Sequence, residues 1–284
     1  MTNRETLLWL LQQAGVPRRK LALLPDFLVV SPPKTGTTWL ADNLRCHPGV
    51  FVPASKEVRY FSTFGDWAGL EWYLDHFAGA GGRLKGEASP SYALLPPERI
   101  RLLRDLVPDV KLVFLVREPV GRAWSHARHT FRYCEAGFAG RTLSLEEMAE
   151  EDWLAGFRHP WLAANDDCLG QLERWLGVFP REQVFLGFFE DLVRRPEGLL
   201  RDVFAFLGVD AGLPLGGFPV RERILEGMPA PLTPRLEGEL RSALRARSAE
   251  LSAFLRGLGL EPPPEWDWCR EPADAAPPLA EFDA

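Results

Sequence analysis

The stretch Ser31-Pro32-Pro33-Lys34-Thr35-Gly36-Thr37-Thr38-Trp39-Leu40 gathers one cation, three threonine hydroxyls and a glycine within five positions. It follows the apolar run Phe27-Leu28-Val29-Val30 and opens the helical period Thr37 to Cys46. A strand–loop–helix turn aims several backbone N–H groups and the positive end of the helix at one spot. Gly36 permits close approach of backbone to ligand. Thr35, Thr37 and Thr38 add donors, and Lys34 adds a point charge. Such a turn is a cradle for phosphate or sulfate; the alternative is a plain strand-to-helix turn carrying a surface lysine. It is not a Walker A loop, because Lys34 precedes Gly36 by two positions instead of following a glycine.

A second group of polar residues closes the run Leu112-Val113-Phe114-Leu115-Val116-Arg117-Glu118-Pro119-Val120-Gly121-Arg122-Ala123-Trp124-Ser125. The apolar strand ends at Arg117, and Pro119 suits the first turn of a helix, where its missing N–H costs nothing. Ser125 falls in the second turn. An arginine fork and a hydroxyl placed there could share a phosphate. Arg117 ion-paired with Glu118 or with a carboxylate on the helix is the competing reading.

These residues carry a family resemblance. Pro33-Lys34-Thr35-Gly36-Thr37-Thr38-Trp39-Leu40 closely resembles the 5′-phosphosulfate loop of sulfotransferases that use 3′-phosphoadenosine 5′-phosphosulfate (PAPS). The resemblance implies that Lys34 meets the 5′-phosphate leaving group, with Thr35, Gly36, Thr37 and Thr38 in the cradle. It gives Trp39 an adenine to stack on, although a core tryptophan would fit that position equally. The Arg117 to Ser125 stretch resembles the 3′-phosphate site, with Arg117 and Ser125 as the binding pair.

The segment His47-Pro48-Gly49-Val50 through Lys56-Glu57-Val58-Arg59-Tyr60-Phe61 resembles one in the glycan-acting branch where a glutamate is the general base; Glu57 is that match. Its competing reading is an ion pair with Lys56 or Arg59. Glu87, in Gly86-Glu87-Ala88-Ser89-Pro90-Ser91-Tyr92, is the second candidate base, while His126 and His129 lack the context of a catalytic histidine. Leu172 to Leu176, Glu190 to Leu192 and Pro196 to Gly208 extend the likeness, which runs from about Pro25 to Gly208. It is nearest the branch holding heparan sulfate sulfotransferases and many bacterial enzymes. Three departures stand out. Many relatives have lysine where this chain has Ala88. The late basic loop over the 3′-phosphate has only Arg221 and Arg223 as weak stand-ins. The dimer signature of cytosolic members is missing, which leaves oligomeric state open. The resemblance implies PAPS as donor, adenosine 3′,5′-bisphosphate (PAP) as product, no metal, and an acceptor hydroxyl or amine on a glycan, lipid or small metabolite.

The elements needed to position these groups are legible as strands alternating with helices. Apolar runs at Phe27 to Val30, Arg83 to Glu87, Lys111 to Val116 and Val184 to Phe189 read as strands. Helical periods cover Thr37 to Cys46, Trp67 to Phe77, Pro97 to Leu106, Pro119 to Tyr133, Asp166 to Val178, Glu190 to Leu207 and Thr233 to Leu258. The expectation is an α/β fold: a P-loop-like central parallel sheet flanked by helices on both faces. No repeat and no Gly/Ser linker interrupts the 284 residues, so one domain is expected, with an amphipathic helix over residues 1–24 and a proline-rich, poorly ordered tail over about 269–284. Phe138 to Asn165 reads as irregular helix, a lid or acceptor wall.

The net charge of −6 argues against a nucleic-acid or anionic-membrane binder, so any positive field must be local. The apolar run Leu7 to Leu11 is too short to span a bilayer. Cys46, Cys134, Cys168 and Cys269 show neither metal-ligand spacing nor a disulfide pattern, which suits a reducing cytoplasm. Two other functions fit parts of this pattern: a kinase with a variant phosphate loop, and a PAP-binding module without turnover.

Overall fold

In the computed structural model of the chain, residues 5–6, 9, 11, 15–65, 68–133, 148–222 and 230–269 are described. Ten of the first 14 residues of the expected N-terminal helix, Trp67, Cys134, the first part of the Phe138 to Asn165 region, Arg223 and the tail beyond 269 lie outside them.

Five parallel strands form the centre: β1 (Phe27–Val29), β2 (Val50–Phe51), β3 (Leu84–Ala88), β4 (Lys111–Val116) and β5 (Val184–Phe188), in the order β2-β3-β1-β4-β5. Leu28 lies between Glu87 of β3 and Leu112 of β4 in register. The helices, in chain order, are α1 (Arg18–Leu21), α2 (Thr37–Cys46), α3 (Leu70–Asp75), α4 (Pro97–Leu106), α5 (Pro119–Tyr133), α6 (Glu150–Phe157), α7 (Pro160–Asp166), α8 (Cys168–Leu176), α9 (Phe189–Arg194), α10 (Pro196–Leu207) and α11 (Pro234–Gly257).

Both sheet faces are dry, which is why the strands read as continuous apolar runs. Leu28, Leu112 and Phe114 pack one face against α4 and α8 through Ile100, Leu103, Leu172 and Trp175. Phe27, Val29, Val113 and Leu115 pack the other against α2 and α10 through Leu40, Leu44, Leu200 and Phe204. A third cluster joins α5, α6 and α11 through Trp124, Trp153, Leu236 and Trp268.

Three expectations are revised. The short edge strand β2 is added at Val50–Phe51. The helix expected over Trp67 to Phe77 is confined to Leu70–Asp75. The helix expected over Glu190 to Leu207 is two, broken at Arg195 (φ −140°, ψ 57°), because the residue before Pro196 is held out of helical geometry. Trp266 and Trp268, in a 3₁₀ segment over Pro264–Cys269, are buried, so the polypeptide stays packed to the edge of the expected tail.

The chain leaves β1, passes through α2 to the sheet edge at β2, returns to β3 beside β1, and then crosses to β4 on the other side. The chain order reverses around β1, and in open α/β sheets the crevice at such a switch point, here beyond the carboxyl ends of β1, β3 and β4, is the usual ligand position. Lys34 follows β1, Arg117 follows β4, Glu87 ends β3, and Lys56 and Glu57 follow β2.

Candidate active site

The loop after β1 is held from behind. Ser31, fully buried, accepts from the Leu115 N–H (2.7 Å) and donates to the Val113 carbonyl (3.3 Å), pinning the loop to β4. The Thr35 hydroxyl donates to the Pro32 carbonyl at 2.8 Å and is fully buried, so it shapes the loop from within and is not a free donor as the sequence suggested. Arg122, buried and paired with Asp166, reaches the Pro33 carbonyl at 3.5 Å. Lys34 and Gly36 both take left-handed backbone (φ 68° and 88°). A side chain at Gly36 would also lie 2.6 Å from Leu192 of α9. Among the described residues, the N–H groups of Gly36, Thr37 and Thr38 have no backbone acceptor, so they stand free at the start of the ten-residue helix α2.

Arg117 faces this loop. Its guanidinium donates to the Lys34 carbonyl (3.1 Å) and lies 4.1 Å from the centre of the Phe189 ring. Glu118 is occupied otherwise: it accepts from the N–H groups of Val120 (2.9 Å) and Gly121 (2.5 Å), capping α5, and from the Trp268 indole (2.9 Å). Among the described residues Arg117 makes no direct ion pair with Glu118, although the charges of Glu190 and Glu118 both act on it. Ser125 is buried one turn into α5. Glu190, buried in the first turn of α9, accepts from the Glu118 N–H (2.7 Å), and burial raises its pKa to about 7.

The charge balance is uneven. Burial lowers the Lys34 pKa to about 8, with help from the positive charges of Arg117, Arg128 and Lys56. Burial likewise lowers that of Arg117. Cations gathered this way repel one another, and the arrangement is relieved by an anion of several charges.

Trp39 is 3 % exposed, packs in the α2–α10 core, and donates its indole N–H to the Val220 carbonyl at 2.9 Å. Little of its ring is open to a purine. His126 is buried against Trp161, and burial drops its pKa to about 3, so it stays neutral. Arg221 is 81 % exposed and pairs with Glu197, as a solvated surface charge does.

The other side of the crevice is a closed network. Glu87 is fully buried. It accepts from the hydroxyls of Tyr92 (2.6 Å), Ser89 (2.5 Å) and Tyr73 (3.3 Å) and from the Val58 N–H (3.3 Å). Ser89 in turn accepts from the Arg59 N–H (2.9 Å), and the Tyr92 hydroxyl from the Phe61 N–H (3.3 Å). The Glu87 carboxylate thus fixes the backbone that carries Glu57, where Arg59 takes left-handed φ (55°) and the five-residue π-helical turn Tyr60–Phe64 begins. Burial raises the Glu87 pKa to about 7 against those hydrogen bonds.

Glu57 is held by two cations. Lys56 donates to Oε1 (3.1 Å), and Arg59 donates to Oε2 from Nε (2.9 Å) and Nη2. Burial would raise its pKa, but Lys56 and Arg59 outweigh that and hold it below the ordinary value. The crevice therefore presents a cationic donor cradle on one wall and an ionised carboxylate on the other. Sequence reasoning missed three contributors: the loop contact of Lys56, the tyrosine–serine hub around Glu87, and the indole of Trp268 beneath Glu118.

The sulfotransferase domain family matches residues 24–223, most of the chain. The protein belongs to the sulfotransferase family. Among curated relatives, membrane-associated sulfotransferase kil1 of Dictyostelium discoideum is 26% identical over 273 residues, covering 67% of this chain and 57% of the relative. Heparan sulfate glucosamine 3-O-sulfotransferase 6 of Mus musculus is 31% identical over 198 residues, covering 69% and 55%. The chain thus spans a little over half the length of these sulfotransferases. A solved sulfotransferase from Alicyclobacillus acidocaldarius superposes with a TM-score of 0.64 at 29% identity over 88% of this chain and 99% of that one.

Proposed function

We propose that this chain transfers a sulfuryl group from PAPS to a hydroxyl or amine on a glycan or smaller acceptor. The observation that carries the reading is the clustering of cations at the β1–α2 loop: Arg117 bonds the Lys34 carbonyl, Lys56 bonds the Thr38 hydroxyl, and the charges of both bear on Lys34. A donor bearing phosphates at its 5′ and 3′ ends supplies the negative charge that this cluster lacks. The mouse relative's name places a glucosamine hydroxyl in heparan sulfate as that enzyme's acceptor, which supports a glycan here.

PAPS, when bound, supplies the sulfuryl group; its bond from sulfur to the 5′-phosphate oxygen breaks as the acceptor oxygen or nitrogen bonds to sulfur. Lys34 and the loop N–H groups at Gly36, Thr37 and Thr38 stabilise the charge that collects on the departing 5′-phosphate. Arg117 and Ser125 hold the 3′-phosphate, Arg117 presented by Phe189 and by the Lys34 carbonyl. Glu57, already ionised, takes the acceptor proton. Its lowered pKa makes it a weak base before reaction, but the acceptor proton becomes far more acidic once the new bond to sulfur forms. Cys46 and Cys168 are free thiols, which supports a cytoplasmic setting.

One observation favours a second reading, a PAP-binding module without turnover: both oxygens of Glu57 are engaged by cations. Transfer of labelled sulfate from PAPS across sugars, amines, lipids and phenols decides between the two. Label on an acceptor establishes the enzyme. Tight PAP binding with no transfer to any class leaves the module, and preference for ATP–Mg²⁺ over PAP in a titration would overturn both.

A further inference from the structure

Lys56 is fastened at both ends. Its carbonyl accepts from the Ala88 N–H at the end of β3 (3.3 Å). Its ammonium donates to the Thr38 hydroxyl on the first turn of α2 (2.9 Å) and to Oε1 of Glu57 (3.1 Å). A lysine whose only task was to pair with its neighbour would have no reason to reach the phosphate loop, and Glu57 already has the Arg59 fork on its other oxygen. The reach to Thr38 is also unfavourable as the chain stands, because the Lys56 charge is one of those that depress Lys34. An ammonium carries three N–H donors. Two are taken, and the third has no acceptor among the described residues.

The geometry points to Lys56 as a catalytic residue whose ammonium binds the oxygens of the sulfuryl group in transit. This role rests on the proposed sulfuryl transfer. In an in-line displacement the moving group lies between the leaving oxygen, held by the loop, and the attacking atom, beside the base. Lys56 bonds to both of those walls, through Thr38 and through Glu57. It forms no covalent bond. It balances negative charge on the non-bridging sulfuryl oxygens while the bond to the 5′-phosphate breaks, the bond to the acceptor forms and the acceptor proton passes to Glu57. Arg59 keeps Glu57 ionised and oriented meanwhile.

PAPS and PAP differ by the sulfuryl group, so their affinities isolate this contact. The experiment compares equilibrium binding of both ligands and single-turnover transfer for the wild type, Lys56→Met and Lys56→Arg. For Lys56→Met, PAP affinity stays within about threefold, which also reports an intact fold, and PAPS affinity falls about tenfold, the loss of one charged contact. The transfer rate falls by about 10² to 10³, as when a transition-state donor is removed, and Lys56→Arg recovers part of it. Equal weakening of PAPS and PAP would overturn the role in favour of a phosphate contact. Unchanged PAPS affinity, with only an upward move of the acidic limb of the pH–rate profile, would reduce Lys56 to a group that tunes Glu57. A wild type that binds neither nucleotide would instead remove the sulfotransferase reading on which the role stands.

Discussion

The two walls of the crevice are built on opposite principles. On the donor wall, after β1 and β4, half-buried positive groups crowd one another: Arg117 bonds the Lys34 carbonyl, and the charge of Arg117 bears on Lys34. On the acceptor wall, after β2 and β3, nearly every polar atom is satisfied inside the chain, with Glu87 tying together two tyrosines, a serine and the backbone of the base segment. The difference separates binding from positioning. A wall with unmet charge gains most when a polyanion arrives, whereas a wall with a closed network holds its geometry before anything binds. Affinity for the nucleotide should therefore reside on one side and the timing of proton removal on the other.

The largest effect expected is on the acceptor wall. Glu57→Gln keeps shape and removes the base, so turnover should fall by about 10² to 10⁴. PAP affinity, measured by titration, should move less than about threefold. A variant that turns over normally would break the comparison at its sharpest point. Lys34→Ala comes next, with a loss of about 10² to 10³ in kcat in the same sulfate-transfer assay; a near wild-type rate would mean that the loop does not meet the leaving group.

Arg117→Ala should act through binding. PAP should weaken by about 2 kcal/mol, while adenosine 5′-phosphate, which lacks the 3′ group, changes far less. Equal weakening of both would take Arg117 out of the 3′ site. The smallest effect is a proton count. With its pKa at about 8, Lys34 is partly neutral in the free chain at pH 8 to 9. A bound polyanion restores the ammonium, so PAP binding in that range should take up a fraction of a proton, read by calorimetry in buffers of different ionisation heat. Lys34→Met should abolish the uptake. The stability linkage has the matching sign: the unfolded chain binds the extra proton, so the cost of Lys34 is full below about pH 8 and is relieved as pH rises toward 10.5.

What the sequence disclosed follows the same division. The donor wall was legible because its chemistry is local: Lys34 to Thr38 and Arg117 to Ser125 are contiguous runs at strand-to-helix turns, where residue type and position carry the geometry together. α4 and α5 were legible from their period and from proline at their starts. The acceptor wall was less so. Glu57 and Glu87 stand 30 positions apart, and nothing in either segment announces that Ser89 and Tyr92 bond back to the turn after Glu57. The strand β2 has two residues, too few for any alternation to register. Thr35 looked like a ligand donor because its hydroxyl could point either way, and only the closed loop shows that it turns inward to Pro32. Trp268 lies 150 positions from the Glu118 it supports, beyond the reach of any motif.

The left-handed backbone at Lys34 sets folding and chemistry against each other at one position. A non-glycine residue there costs roughly 1–2 kcal/mol, and glycine or asparagine would relieve it. In a duplicated copy no longer selected for its reaction, mutation would meet little resistance in replacing this lysine first, because the fold itself gains from the change. Glycine or asparagine at position 34 in an otherwise intact copy would then serve as a fossil mark of lost activity, datable against the slower decay of the buried loop contacts around Ser31 and Thr35.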